Sequence, residues 1–432
     1  MKKTLIILFI YFLGIVAAFA QTKDVKSDSM IIKKMIFVGN EKTKEIVLRR
    51  EMKTQVGDRL DAQKLEEDRK RLINLQLFNR VEFNPMQADD GVILLVIVAE
   101  RWFVFPYPIF FFNEHEWKKV SYGAGLVHQN FRGMNVQLDG AFWLGYNPGM
   151  SMYYSNPWIG AKNFFTKIKI FSNKVKSKSL EYERFNETHR GIDVIFGRRW
   201  GYHTYLALNT GYQQLRVPDE FKTATISGSG TDRLPSLGFA FRYDTRDLYQ
   251  YPKSGLRFDA YVSQTGFSKS IDFIRYGIDA RVYQPLLAGA SLALRSAFDL
   301  SKGQIPVYGK TFIGYSERVR GYFNARREGD NRAILEAELR FPILPIRYFD
   351  LGDKAYLLGP YGDNLPFGIS AGLFYDAGAV WNQSQTLHKS DFLKGFGAGL
   401  HLHVPYVDVL RLEYAFDEER NGQFIFDIGV YF

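Results

Sequence analysis

The sequence predicts a mainly β protein, a 16-stranded antiparallel transmembrane β-barrel preceded by one small α+β (βααββ) module. Three observations favour this fold class. After the N-terminus, no stretch approaches the roughly 18 uninterrupted apolar residues of a membrane helix. Residues 102–432 read as segments of about ten residues with alternating apolar and polar side chains. Aromatic residues, 16% of the chain, crowd the predicted strand ends, as in YYSNPW and FYDAGAVW.

The N-terminus has the three parts of a secretory signal peptide. Lys2 and Lys3 precede the apolar run LIILFIYFLGIVA, and Ala18-Phe19-Ala20 follows as a small-x-small cleavage site. We therefore predict a signal peptide over residues 1–20, with an N-terminal membrane anchor as the alternative. The exported chain has no cysteine, so a large core, a metal or a closed sheet has to stabilise it.

Residues 24–101 carry the helical periodicity of the chain. MIIKKMIFVGN predicts a strand that runs into a turn, and KTKEIVLRREM has near-helical spacing of its apolar residues. Asp58 and Asp61 open a second predicted helix, DAQKLEEDRKRLINLQLF, which has an aspartate as its N-cap. VEFNPM and VILLVIVAE follow as two strands, which gives the order β-α-α-β-β.

Residues 102–432 show the period of two that is typical of strands. In RAILEAELRF, Leu335, Ala337, Leu339 and Phe341 share one face, with Glu336, Glu338 and Arg340 opposite. We predict 16 strands, the even number that bacterial barrels have. They lie near 103–112, 120–130, 135–145, 150–158, 164–175, 190–200, 204–217, 234–247, 256–267, 273–286, 290–300, 332–343, 367–381, 392–404, 409–418 and 423–432.

The connections between these strands are unequal in length. Residues 176–189, 218–233 and 301–331 are long, whereas most alternate connections are short. Short periplasmic turns and long surface loops are the asymmetry of an outer-membrane barrel, although 344–366 is a long connection on the predicted short side. A soluble sandwich or lipocalin-like barrel is the alternative.

Four motifs in this order carry a family resemblance. Residues 31–101 contain IIKKMIFVGNEKT and LINLQLFNRVEF, residues 242–255 read RYDTRDLYQYPKSG, residues 319–322 read VRGY, and residues 374–380 read FYDAGAV. The chain resembles the BamA/TamA-type outer-membrane assembly family, in which periplasmic POTRA domains precede a barrel of the bacterial surface antigen class. The resemblance covers nearly the whole mature chain, with a single POTRA at 24–101 and the barrel at 102–432.

The resemblance implies that the VRGY loop folds back into the barrel and that its arginine pairs with an inward acid. The matching residues are Val319, Arg320, Gly321 and Tyr322, with Asp376 as the acid and Glu338 as a second candidate. Arginine suits this role because its planar fork of donors is accepted bidentately by a carboxylate. An ordinary surface loop with solvated arginines is the alternative.

The DTRD motif is interpreted as structural. We expect it to satisfy a turn and to cap a strand end, and so to serve barrel integrity. Its residues are Asp244, Arg246, Asp247, Pro252 and Gly255.

Catalytic and metal-binding signals are weak. None of the seven histidines lies in a HExxH or GxSxG context, and His401 and His403 share one strand face without a predicted third ligand. We predict no enzyme, no cofactor and no metal. No Lys/Arg block concentrates the net charge of +10, so no nucleic acid partner is predicted.

The first predicted strand suggests a mechanism. Pro106 and Pro108 lack N–H donors, so the seam with the last strand, which ends at Phe432, is expected to be weak. A weak seam exposes a strand edge on which client strands can add, as the family resemblance implies. Expected partners are unfolded outer-membrane or secreted clients, the lipid bilayer with lipopolysaccharide, and periplasmic accessory proteins.

The expected location is the bacterial outer membrane, with the POTRA in the periplasm. A single POTRA leaves a general assembly role and a narrower insertion or secretion role equally open. A passive pore or surface-exposed structural barrel is the alternative function, and a barrel enzyme such as a lipase lacks a Ser/His constellation.

Overall fold

The computed structural model of the chain describes residues 30–89, 91–112, 118–160, 163–177, 179–180, 185–314, 317–322, 327–352 and 359–428. The predicted signal peptide, residues 1–20, lies outside these ranges. Within them, no helix is long and apolar enough to cross a membrane.

The N-terminal module has the predicted β-α-α-β-β order. Its elements are β1 (Ile32–Val38), α1 (Glu45–Glu51), α2 (Ala62–Asn74), β2 (Phe78–Ala88) and β3 (Gly91–Glu100). The sheet order is β1–β3–β2, with β3 parallel to β1 and antiparallel to β2.

Local chemistry explains the boundaries and the core of this module. Asp61 caps α2 as predicted, because its side chain accepts hydrogen bonds from the backbone N–H groups of Gln63 and Lys64. Asp68 is buried and accepts from the N–H groups of Lys53 and Thr54, which fixes the segment between the helices. One apolar core joins both helices to the sheet, and Val47, Leu48, Leu72, Leu94 and Val96 are buried in it.

The remaining described chain forms a 16-stranded antiparallel sheet, which confirms the predicted fold class. Its strands are β4 (Val104–Phe112), β5 (Val120–Phe131), β6 (Val136–Gly145), β7 (Gly149–Ile159), β8 (Phe164–Lys176), β9 (Asn186–Trp200), β10 (Thr204–Arg216), β11 (Thr231–Asp244), β12 (Gly255–Thr265), β13 (Phe273–Pro285), β14 (Ser291–Gly303), β17 (Asn331–Phe349), β18 (Leu365–Trp381), β19 (Leu393–Val404), β20 (Asp408–Phe416) and β21 (Gly422–Ile428). Two short strands, β15 (Thr311–Ile313) and β16 (Arg327–Gly329), form a separate hairpin that was not predicted.

The two faces of the sheet differ as the alternation predicts. Leu373 and Tyr375 on β18 are about half exposed on the outer face, at 53% and 50%, whereas Asp376, which follows Tyr375, is completely buried. On β17, Glu336 and Glu338 are likewise buried while Leu335 is exposed. The inner face is therefore polar and enclosed, and the outer face is apolar, as in a membrane barrel.

The connection at 344–366 is a correction to the predicted pattern. β17 continues to Phe349 and β18 begins at Leu365, so the two strands take up about a third of the predicted connection. β17 pairs with β14 only as far as Arg340, and beyond it the strand pairs with β18 through two register shifts near Pro342 and Leu344. The pair β17–β18 therefore projects past its neighbour β14.

The N-terminal module is docked on the short-turn end of the barrel. Lys44 N–H donates to Gly133 O at 2.9 Å, and Tyr202 Oη donates to Met52 O at 3.0 Å. Glu51 accepts two hydrogen bonds from Arg199, at 2.8 and 3.2 Å. Further contacts join the module to other turns around the mouth, through Asn130, Trp158, Asp247, Tyr249, Tyr361, Asn364 and Tyr406.

Two glycines in barrel turns allow a matched test of this docking. Gly133 has φ +70°, and a Cβ there would lie 2.1 Å from Lys42 O of the module. Gly160 has φ +64°, and a Cβ there would meet nothing within 4 Å. We expect Gly160→Ala to lower the free energy of unfolding by about 1 kcal/mol, from backbone strain alone.

Gly133→Ala carries the same backbone strain and also pushes the module away. It should therefore increase hydrogen exchange at the Lys44 amide at least tenfold, whereas Gly160→Ala leaves it unchanged. Equal exchange in the two variants would contradict the docking contact.

Candidate functional site

The loop that carries VRGY lies against the inner face of the barrel. Val319 and Ile313 are fully buried and pack against Ala297, Ile334 and Leu393. Close backbone approach fixes the turn, because Gly321 has φ +100° and a Cβ on it would lie 2.6 Å from Phe416 O. The loop thus occupies the lumen instead of extending into solvent.

Arg320 is the centre of this contact and has no exposed surface. Its Nε and Nη2 donate to the two carboxylate oxygens of Asp376 at 2.7 and 2.8 Å, in the bidentate arrangement. Its Nη1 donates to Glu338 at 2.7 Å and to Glu413 at 3.0 Å. The ring of Phe374 lies 3.7 Å from the guanidinium carbon. Both predicted acids and one further acid therefore surround the arginine.

Glu413 and Arg340 are the members of this cluster that the sequence reasoning missed. Arg340 Nε donates to Glu338 Oε1 at 2.7 Å, so each oxygen of Glu338 is bound by a different arginine. Glu413 lies on the inner face of β20 in the alternating segment LRLEYAF. That alternation could have placed Glu413 on the inner face, but not opposite Arg320.

Further ion pairs tie the loop to the wall on this side of the barrel. Arg295 of β14 contacts Glu317 of the loop at 3.1 Å and Glu336 of β17 at 3.3 Å. Arg318 forms an ion pair with Asp427 on β21, the last described strand. Tyr322 Oη donates to Glu418 in the turn before β21, at 3.3 Å. The loop consequently braces β14 and β17–β21.

The residues of the DTRD motif span the connection between β11 and β12. Arg246 donates to both carboxylate oxygens of Asp244, at 2.9 and 2.7 Å. Asp247 accepts from the backbone N–H groups of Lys253 and Ser254 at 3.0 and 3.2 Å. Gly255 has φ +99°, and a Cβ on it would lie 2.3 Å from Thr245 O. The motif closes the connection between β11 and β12.

The same turn also links the N-terminal module to the lumenal cluster. Asn74 at the end of α2 donates to Asp247 O at 3.0 Å and accepts from Tyr249 N at 2.8 Å. Farther along the turn, Pro252 O accepts from Arg340 Nη1 at 3.2 Å, and Arg340 binds Glu338. A continuous set of hydrogen bonds thus runs from the module to the acids around Arg320.

His401 lies in a group that the sequence reasoning did not assemble. Ligand atoms of Glu338, His401 and Glu413 lie within 4.8 Å of one another, so the prediction that His401 has no third ligand nearby was wrong. His403, the predicted companion, instead bonds Ser370 Oγ at 3.0 Å. Arg320 Nη1 already donates to both acids and occupies the cationic position of this group. The residues present therefore favour an arginine over a metal ion.

The seam residues lie at the ends of the sheet. Pro106 and Pro108 are in β4, which pairs with β5, and both are exposed on the outer face. β4 and β21 are the two terminal strands of the sheet order, and no pairing joins Val104–Phe112 to Gly422–Ile428. Phe432 lies outside the described residues.

The described chain combines a 16-stranded barrel, an inward VRGY loop and one small α+β module. Comparison with known proteins identifies the family that has this architecture. The family model described as the Omp85 superfamily domain matches residues 130–432, more than half of the chain. The chain belongs to the Omp85 superfamily. A second model, for POTRA and described as a surface antigen variable number repeat, matches residues 30–101. The family resemblance and the single POTRA are thereby confirmed.

Two relatives are named outer membrane protein assembly factor BamA. The one from Nitratidesulfovibrio vulgaris is 24% identical over 94% of this chain, and the one from Neorickettsia risticii is 23% identical over 89% of it. This chain covers 52% of each relative, so it spans about half the length of these proteins.

Solved structures share the fold at low sequence identity. BamA from Haemophilus ducreyi lacking POTRA domains 1–3 has a TM-score of 0.56 at 17% identity, covering 94% of this chain and 84% of that one. CdiB from Escherichia coli has a TM-score of 0.53 at 9% identity, covering 95% and 91%. These likenesses show a shared fold.

Proposed function

We propose that this Omp85 protein is an outer-membrane assembly or translocation factor, in which the POTRA receives unfolded clients and the seam between the first and last barrel strands inserts them. The observation that carries the proposal is the buried Arg320, which fixes an inward loop to β17, β18 and β20 through three carboxylates. A passive pore needs neither this lumenal brace nor a POTRA over its mouth.

The two sides of the seam differ in how they are held. The VRGY loop reaches the last strands through Arg318–Asp427 and Tyr322–Glu418. In contrast, the first strand β4 carries Pro106 and Pro108, whose ring nitrogens cannot donate to a neighbouring strand. We infer that β4 is the movable side and that β17–β21 form the rigid side. An edge released there could template a client strand.

Hydrogen exchange tests this asymmetry. We expect the backbone amides of β4 to exchange at least tenfold faster than those of β10, which is paired along its whole length with β9 and β11. A Pro106→Ala/Pro108→Ala double variant restores two donors and should slow exchange in β4. Exchange in wild-type β4 as slow as in β10 would refute an openable seam.

The POTRA offers a receiving edge close to the barrel. β2 lies at the edge of the three-stranded sheet, and a cleft of about 540 Å³ runs along its residues 80–84. Tyr348 of the projecting β17 lies across the cleft. Near one end of the cleft, Arg80 Nη1 donates to Asn364 Oδ1 at 2.8 Å. An extended client could add to β2 and remain beside the barrel mouth.

We place the barrel in the bacterial outer membrane with the POTRA on the periplasmic side. The apolar outer face supports a bilayer partner, including lipopolysaccharide, and the edge of β2 supports unfolded clients or accessory proteins. The work of insertion would come from the folding free energy of the client, and no catalytic reaction is proposed.

Reconstitution tests the proposed function. Liposomes that contain the mature protein should accelerate insertion of an unfolded small barrel at least tenfold over empty liposomes, measured by the gel-mobility shift of the folded client. An Arg320→Ala variant that remains folded should lose most of this acceleration. Ion conductance without acceleration by the wild type would favour the passive pore.

A further inference from the structure

The half of the lumen that the VRGY loop leaves open contains a cavity of about 480 Å³. Inward-facing residues of β5–β12 form its wall, and the POTRA turn at Leu75–Gln76 closes it from the docked end. Gln76 has φ +59° at this turn, a conformation that non-glycine residues adopt rarely. The cavity is therefore bounded partly by the barrel and partly by the POTRA, and we call it the lumenal chamber.

Lys167 of β8 is the unusual charge in the lumenal chamber. Within the part of the chain that the structure describes, no carboxylate lies within ion-pairing distance of its Nζ, and its charged neighbours are Arg242 and Arg257. Lys169, two residues along the same face of β8, stands instead directly opposite Asp193 of β9. The two lysines therefore lie on the same face of β8, and only Lys169 has an acid directly opposite on the neighbouring strand.

The neighbouring arginines do not supply the missing negative charge. Arg242 Nε donates to one oxygen of Asp259 at 2.5 Å, and Arg257 Nε donates to the other at 2.6 Å. Three cations therefore share one carboxylate, which leaves a local formal charge of 3 − 1 = +2. Opposite charges attract strongly where solvent is partly excluded, so this part of the chamber favours an anion.

The chamber also offers hydrogen-bond acceptors without partners. Gln129 Oε1 and Asn209 Oδ1 line it, and both atoms are buried and accept no hydrogen bond among the described residues. Buried polar atoms are normally satisfied, so they call for donors such as backbone N–H groups or water. An extended peptide with acidic side chains would supply donors to these amides and a carboxylate to Lys167.

We propose that the lumenal chamber is an anion site that holds the carboxylate of an acidic side chain in an extended client segment, through Lys167, Arg242 and Arg257. The assignment of a client as the source rests on the proposed function. A client is favoured because the chamber is polar, adjoins the POTRA, and presents acceptors spaced along β5 and β10 as well as cations.

Pyrophosphate tests the anion site independently of any client. With the full mature chain refolded in uncharged detergent at low ionic strength, titration calorimetry should show saturable binding. Lys167→Gln should weaken the affinity at least tenfold, and Lys169→Gln should change it less than twofold. Absence of saturable binding, binding of an adventitious ion only that both variants weaken equally, or no effect of Lys167→Gln would overturn the site.

Client insertion then tests the source of the carboxylate. Two small unfolded barrels are compared, one natural and one with its Asp and Glu residues replaced by Asn and Gln. Lys167→Gln should slow insertion of the acidic client at least threefold and leave the neutral client unchanged. If Lys167 governs pyrophosphate binding but neither client responds, the client assignment is overturned. If the wild type accelerates no client, the proposed function fails while the pyrophosphate result still decides the site.

Discussion

Arg320→Ala is expected to lower the free energy of unfolding by about 3–5 kcal/mol, the effect of breaking a buried ion pair from one side. The substitution would leave Asp376, Glu338 and Glu413 buried with no guanidinium between them. Arg340 still binds Glu338, so the loss falls mainly on the other two acids. Urea unfolding in detergent, followed by tryptophan fluorescence, measures the change.

Two further variants separate charge from geometry. Arg320→Lys keeps the charge but cannot donate to three carboxylates through a planar fork, so an intermediate loss is expected. Arg327 belongs to the same loop and is exposed, and Arg327→Ala should change stability by no more than about 0.5 kcal/mol. A loss from Arg320→Ala as small as that from Arg327→Ala would show that the lumenal contact contributes nothing to stability.

Arg199→Ala is expected to weaken the docking of the POTRA by about 2–5 kcal/mol, because it leaves the buried carboxylate of Glu51 without its main partner. Arg71 lies 3.6 Å from the same carboxylate and compensates for part of the loss. Hydrogen exchange reports the docking at two amides that bond across the interface, those of Lys44 and Tyr249. Both should exchange at least tenfold faster in the variant.

Helix α1, which carries Glu51, also offers a control residue. Arg49 forms an exposed pair with Glu45, and Arg49→Ala should cost no more than about 0.5 kcal/mol and leave both amides protected. The double variant Glu51→Gln/Arg199→Gln replaces both buried partners, so no unpaired carboxylate remains. It should recover part of the docking free energy that Arg199→Ala loses. Unchanged exchange in Arg199→Ala would mean that other contacts alone hold the POTRA at the barrel mouth.

Strand positions were predictable from the sequence because they depend on local periodicity. The alternation in RAILEAELRF placed Glu336 and Glu338 on the inner face and Leu335 on the outer face, as the structure has them. Asp61 was predictable as a helix N-cap for a similar reason, since its partners lie only two and three residues away.

The pairing of Arg320 was anticipated only in part. The family resemblance indicated Asp376, and the alternation along β17 indicated Glu338 as a second candidate; both lie on the strands that follow the loop. Glu413 lies 93 residues from Arg320, and His401 was expected to have no third ligand nearby. A period of two indicates the face of a residue but not its neighbour across the lumen, because that depends on strand register and on barrel curvature.

By itself, the sequence determined the fold class, the 16 strands and the polar face of segments such as RAILEAELRF, because these follow from local patterns of side-chain polarity. The assignment of the α+β module as a POTRA came from the family resemblance. Only the tertiary structure decided that Glu51 meets Arg199, that β17 projects past β14, and that Lys167 faces the lumenal chamber with no carboxylate within ion-pairing distance among the described residues. Each of these is a contact, or a missing contact, between segments far apart in the chain. Such contacts depend on how the strands of the barrel pair and curve and on how the POTRA docks, and local sequence patterns do not specify either.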